Sequence, residues 1–274
     1  MTCAAFPATT SAHGDLHAQI VAATAKIRRD PGNPVLYLER GAVYRDHREW
    51  SRSLADCDRA LTLNPQLADG ALCRGLTLAA SGRYTAAERA LSSLLTDHPD
   101  IVSARIARAR TLVALRRPID ADPDYAAALS RNPNPDWYLE RAHALRQARQ
   151  SRAIAVLDEA IATLGPLVTL QEFAVELDVE AKRYDSALVR VDLVISRINR
   201  APAWLLRRAQ ILEKAHRSED AAQGYLDTIA AITALPPARR HTRAMADLIA
   251  RAQAGVARAR PAAALRNVSR LEIP

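Results

Sequence analysis

GAVYRDHREWSRSLADCDRALTLNP, residues 41–65, opens on a small residue, carries a second small residue at Ser53 and an apolar one at Leu61, and ends on Pro65. The same frame returns 34 residues on as GLTLAASGRYTAAERALSSLLTDHP (75–99), and again as ARTLVALRRPIDADPDYAAALSRNP (109–133). Gly41, Gly75 and Ala109 form one column; Ser53, Ala87 and Ala121 form a second. Leu61, Leu95 and Leu129 make a third, and Pro65, Pro99 and Pro133 a fourth. A fixed period of this length marks units that bury their apolar faces on one another.

The period continues with small changes. The first column runs on through Ala142, Val175 and Ala209, the second through Ala153, Ala187 and Ala221, and the third through Ile161, Ile195 and Ile229. The step from Leu129 to Ile161 is two residues short, and one of the two is lost in a turn, where deletion is tolerated. Two antiparallel helices joined by a short turn explain the columns. Small side chains let the two backbones approach. Larger ones (Cys57 and Leu61, Leu91 and Leu95, Tyr125 and Leu129) cover the next unit, and proline ends the second helix. Pro118 and Pro123 crowd the third turn, which predicts an N-cap at Asp122 and a short second helix there. Asp178 stands where a large apolar or aromatic residue is usual, so the fifth unit is expected to be the loosest.

Composition agrees with an all-α chain. Hydrophobic residues make up 49%, carried by alanine and leucine, and only 9 of 274 residues are glycine. The formal charge of +8 is almost all arginine, the lysines being Lys26, Lys182 and Lys214. Such a balance permits an acidic partner but also suits solvated helix faces. Cys3, Cys57 and Cys73 make no disulfide framework in a chain this long; Cys57 and Cys73 read as small core hydrophobes. No run approaches a membrane-spanning length.

A 34-residue helix–turn–helix unit with small residues at positions 8, 20 and 27 and proline at 32 resembles the tetratricopeptide repeat. Gly41, Tyr44, Trp50, Ala60 and Pro65 carry the likeness in the first copy, and Gly75, Leu78, Tyr84, Ala87 and Pro99 in the second. Six copies span residues 34–233. The segments DWYLERA (136–142), LGPLVTLQ (164–171) and LPPARR (235–240) look most like free-standing bacterial members. The resemblance implies a right-handed superhelical solenoid of about six hairpins, a domain over residues 13–260, and a binding scaffold with no enzymatic activity and no cofactor. Leu16, Ile20, Ala23 and Ile27 predict an N-terminal capping helix, and a helix from Pro236-Pro237 to about Ala259 predicts a C-terminal one, striped by Met245, Leu248 and Ile249. Residues 261–274 are expected to be a tail. Residues 1–12 end on Thr10-Ser11-Ala12, like a signal-peptidase site, yet lack a basic start and contain Pro7. Export and a cytoplasmic location both remain open, as does a choice between monomer and weak oligomer.

The resemblance also implies a concave groove lined by the first helix of each hairpin. Carried onto this chain, it holds Leu38 and Arg45, Leu72 and Leu76, Ile106 and Arg110, then Leu139, His143 and Arg146, and finally Glu172, Glu176 and Gln210. Apolar residues with arginines in the early repeats and carboxylates in the fifth suit a peptide or protein segment with an apolar stretch and mixed charge. The carboxylate clamp of chaperone-binding relatives is not encoded, because Leu38, Ala42, Leu72 and Leu76 occupy its positions. The alternative partner is nucleic acid, through a basic cluster at Arg105, Arg108, Arg110, Arg116 and Arg117. Against it, the groove carries carboxylates and no stacking ladder of aromatics. No phosphate-binding loop or HExxH occurs. His13, Asp15 and His17 lie near one another in sequence, but Asp15 also reads as a helix cap, and Glu172 with Glu176 reads as a solvated acidic face.

Overall fold

The computed structural model describes residues 11–197 and 202–259, with side chains from residue 17 onward. The expectations for residues 1–10 and 261–274 therefore lie outside the described residues. All regular structure among the described residues is helical: α1 (Ser11–Arg29), α2 (Pro34–Asp46), α3 (Trp50–Leu63), α4 (Ala68–Ala80), α5 (Tyr84–Asp97), α6 (Val102–Ala114), α7 (Pro118–Arg131), α8 (Pro135–Gln147), α9 (Arg152–Leu164), α10 (Val168–Glu180), α11 (Tyr184–Arg197), α12 (Pro202–Lys214), α13 (Ser218–Thr233), α14 (Pro237–Arg240) and α15 (Arg243–Ala259). The chain divides into two compact units, Met1–Gln150 and Ser151–Pro274, each described here by itself.

Within each unit the helices pack on one another in chain order as far as α13, and α15 packs back on α13 and α12. In the first unit α2, α4 and α6 also lie side by side. The small columns sit at the helix crossings. Ala87, Ala109, Ala121, Ala142, Ala153, Ala187, Ala209 and Ala221 are all buried. A Cβ on Gly75 would come within 2.6 Å of Leu91, which fills the facing position. Helix starts follow the sequence where it offers caps. Asn33 accepts from the Val35 N–H before Pro34, and Asn134 accepts from Asp136 and Trp137 before Pro135.

The turns inside the hairpins share one device. Arg48, Gly82, Arg116, Arg149, Lys182 and His216 all adopt positive φ at equivalent positions. Each following N–H reaches back five residues, as Arg117 does to the Leu112 carbonyl, and the left-handed residue itself reaches back three. This is the Schellman ending, and five of six copies use a basic side chain where glycine is the usual choice.

A second column escaped the sequence reading. In five of the six first helices Arg40, Arg74, Arg108, Arg141 and Arg208 stand immediately before the column's small residue, and each meets an aspartate of a neighbouring second helix: Asp56, Asp58, Asp124, Asp122 and Asp192 respectively. Arg40 and Arg108 also reach back to Thr24 and Ser92 on the preceding helix. An ion pair thus ties adjacent helices where an apolar residue would otherwise sit.

Four expectations need correction. Cys57 and Cys73 are buried as expected but bonded to each other, with Cα atoms 5.7 Å apart, which joins α3 to α4. Helix α7 is not short: Pro118 is its first residue and Pro123 lies inside it. The donor Pro123 lacks would serve Ile119, which is 56% exposed at the helix start, where water can replace it. Asp122, buried, takes a hydrogen bond from Arg141 at 2.7 Å and lies inside the helix, whose N-cap position Arg117 holds. The C-terminal helix is broken at His241-Thr242, where the Thr242 hydroxyl accepts from the Met245 N–H at 3.3 Å and caps a new helix that starts at Arg243.

Asp178 is no flaw in the fifth hairpin. It is fully buried and accepts from Arg183 at 2.5–2.8 Å and from Arg190 at 2.8 Å. Arg190 also pairs with Asp158.

Candidate partner-binding faces

In the first unit the expected groove residues fall into two sets. Leu38, Leu72, Leu76 and Leu139 are half-buried. Leu72 and Leu76 pack against a cluster that α5 and α6 form with Leu91, Leu94, Leu95, Ala104 and Ala107, and Leu38 against one formed by Ile27, Tyr37 and Ala60. Ile106 is only 4% exposed and belongs to the core, so it cannot meet a ligand. Arg45 is half-buried, whereas Arg110, His143 and Arg146 are exposed. Arg110 is committed within the chain: it grips Glu140 through two hydrogen bonds of 2.7 and 2.8 Å. The Tyr125 hydroxyl donates to the same carboxylate at 3.0 Å, and burial holds that phenol well above its ordinary pKa.

Pairing also explains the basic cluster. Arg105 and Arg108 both meet Asp124, Arg110 meets Glu140, and Arg117 meets Glu88 and Asp120. Four of its five arginines thus face carboxylates of this same chain.

In the second unit α10, α12 and α15 enclose an open pocket of about 790 Å³. It brings together Glu172 and Gln210 from the expected set, with Glu176 close by through Arg207 at 3.9 Å. Trp204 lies half-buried on its wall, with the Arg207 guanidinium 5.9 Å from the ring centre. From the far side α15 contributes Leu248, Arg251 and Arg258. Arg258 donates to Glu213 at 2.8 and 3.1 Å, and the Tyr225 hydroxyl donates to the same carboxylate at 2.5 Å. The Arg258 hydrogen bond is the main cause holding the Glu213 carboxyl below the usual carboxylate range. Burial and Glu213 together push Tyr225 up to about 12. An aromatic wall, aliphatic side chains and both signs of charge can seat an apolar residue flanked by polar ones.

The sequence reading missed Trp204, Arg207 and the contribution of α15. Trp204 was findable as an aromatic on a first helix. The part played by α15 was not, because a capping helix was assigned no ligand-facing positions. Among the described residues no group of three metal-ligating side chains is gathered, and no helix is long and apolar enough to cross a membrane.

Comparison with known proteins agrees with this architecture. No family profile matches the chain. It is 33% identical over 86 residues to tetratricopeptide repeat protein 28 of mouse, and equally to that of human. The match covers 31% of this chain and only 4% of either relative. Among solved structures, a tetratricopeptide repeat protein of Parabacteroides merdae superposes with a TM-score of 0.51 at 16% identity, covering 88% of this chain and 93% of that one. YrrB, a tetratricopeptide-repeat protein with an unusual peptide-binding site, gives 0.51 at 19% identity over 64% of this chain and 91% of its own. With its stacked hairpins, small crossing columns and matching solved structures, this chain has the fold of tetratricopeptide-repeat proteins.

Proposed function

We propose that the chain is a protein-interaction scaffold and that the pocket between α10, α12 and α15 receives a segment of its partner. The observation that carries this reading is the pocket itself: 790 Å³, walled by Trp204 and Leu248, and edged by Glu172, Arg207 and Arg251. The fitting ligand is a short peptide with one large apolar residue between basic and acidic neighbours. The half-buried leucines Leu38, Leu72, Leu76 and Leu139 give the first unit a shallower face for the same kind of partner. On this reading the protein's part is to hold its partner.

A displayed peptide library tests the reading. Selection on the wild-type protein should enrich peptides with an apolar residue between charges of both signs. The same peptides should lose about tenfold or more in affinity for Trp204→Ala. Equal binding to the two proteins would remove the pocket from the reading.

A further inference from the structure

In two of the first helices the fourth residue does the same job. In α2 it is Tyr37, a buried ring whose hydroxyl donates to the Pro31 carbonyl six residues earlier, at 3.2 Å. In α6 it is Arg105, whose Nε donates to the Pro99 carbonyl, again six residues earlier, at 2.9 Å. In α8 it is Tyr138, also buried. In α4 it is Ala71, which has neither a ring nor a donor.

The space that a side chain there would take is open. A slot of about 600 Å³ lies between α4 and α5, with Ala71 on one wall and Ala86 and Ala90 on the other. Pro65, whose carbonyl corresponds to those of Pro31 and Pro99, lines it, and the buried Leu78 and Leu94 give it an apolar floor. The slot follows α5 from Arg83 to Asp97, a length of about 20 Å at 1.5 Å per residue. That length matches about six residues of extended chain.

The rim is unbalanced. Arg74, Arg83 and Arg89 border the slot against the single carboxylate of Asp97. Arg83 and Arg89 are exposed and make no side-chain hydrogen bond or ion pair among the described residues, and Arg74 has only a 3.6 Å approach to Asp58. At about 100° per residue, Ala71, Arg74 and Leu78 lie on nearly the opposite side of α4 from Leu72 and Leu76. The slot is therefore separate from the groove face described above.

We propose that this slot is a second docking site, which takes a tyrosine of an acidic segment of a partner protein. The hairpin itself specifies the anchor: a tyrosine ring fills the equivalent space under α2, and its hydroxyl would give the Pro65 carbonyl the donor that Pro31 receives from Tyr37. Charge complementarity specifies the flanks, since aspartates and glutamates on either side of the tyrosine meet Arg74, Arg83 and Arg89.

The test uses a fluorescein-labelled peptide, acetyl-Glu-Asp-Tyr-Leu-Asp-Glu-amide, and fluorescence anisotropy on the full chain. The wild-type protein should bind it, and peptides with alanine for the tyrosine, or lysines for the acids, should bind at least about tenfold more weakly. Ala71→Tyr closes the slot with a side chain that the fold already accommodates under α2, and should weaken binding by about tenfold or more while leaving the melting temperature unchanged or higher. Arg83→Glu with Arg89→Glu should do the same through charge. Trp204→Ala should leave this peptide's affinity unchanged, which separates the site from the pocket of the second unit. Binding that survives Ala71→Tyr, that disappears with Trp204→Ala, or that is undetectable at roughly millimolar wild-type protein overturns the proposal.

Discussion

Asp178, with no exposed surface, is held by Arg190, whose own side chain is 16% exposed. Removing one partner of such a buried pair strands the other charge, whereas removing both replaces it with packing. Asp178→Leu, which restores the residue type usual at its position, should therefore cost about 3 kcal/mol. Asp178→Leu with Arg190→Leu should recover most of that loss. Urea unfolding of the three proteins measures both, and a neutral Asp178→Leu would show that Arg190 is content with Asp158 alone.

The left-handed turn column predicts a stability gain. Arg116 sits at φ 62° and Gly82 at φ 76° in equivalent turns, and a Cβ on Gly82 would meet nothing within 4 Å. The difference between them is thus one of backbone conformation. Arg116→Gly should stabilise the first unit by roughly 0.5–1 kcal/mol, and Gly82→Ala should destabilise it by about 1 kcal/mol. Thermal melts that moved both variants the same way would contradict this account.

The staple between α3 and α4 closes a loop of 16 residues. On the chain-entropy estimate such a link contributes about 3 kcal/mol. Cys57→Ala with Cys73→Ala should lower the stability of the oxidised protein by about that amount. A reducing agent should bring the wild-type protein towards the double variant and leave the variant itself unmoved.

Attachment of α15 depends on one absent side chain. A Cβ on Gly255 would lie 2.4 Å from the Tyr225 ring, which is itself fully buried. Gly255→Ala should force the helix away at a cost of about 1–3 kcal/mol. Hydrogen exchange should rise across residues 243–259 before it rises in α10 or α11.

The contact between α12 and α15 should respond to pH at both ends. The Glu213 carboxyl is held low, by Arg258 first, so its contribution is complete above the ordinary glutamate range and disappears as pH falls through the lower folded-state value. Tyr225, pushed up to about 12, favours the folded protein fully below the ordinary tyrosine value and ceases to do so as pH rises towards that figure. Melting temperatures across pH should sag at both extremes. Glu213→Gln should flatten the acid limb.

Much of this was readable from residue order. The small columns from Gly41 to Ala221 announce close helix crossings, and Pro65, Pro99 and Pro133 announce the breaks between hairpins. What was hidden depends on atoms from separate segments. Cys57 and Cys73 each look like core hydrophobes until α3 and α4 stand side by side. Asp178 looks like a fault until Arg183 and Arg190 reach it. Ile106 was assigned to the groove by position alone, but the packing around Tyr125 and Ala144 buries it. The turn column was hidden for another reason: left-handed backbone is sought at glycine, and here it carries arginine, lysine and histidine.

The arginine–aspartate pairs bear on how such a chain can be rearranged. Arg40 and Arg108 look to the aspartate of their own hairpin, whereas Arg74, Arg141 and Arg208 look back to the one before. Moving the hairpin that carries Arg74 would leave it without a partner wherever the new neighbour lacks a carboxylate at the place of Asp58, as α7 does with Ala126. These hairpins are therefore not interchangeable bricks; their order is written in charge, and a recombined version would have to carry each acid along with its base.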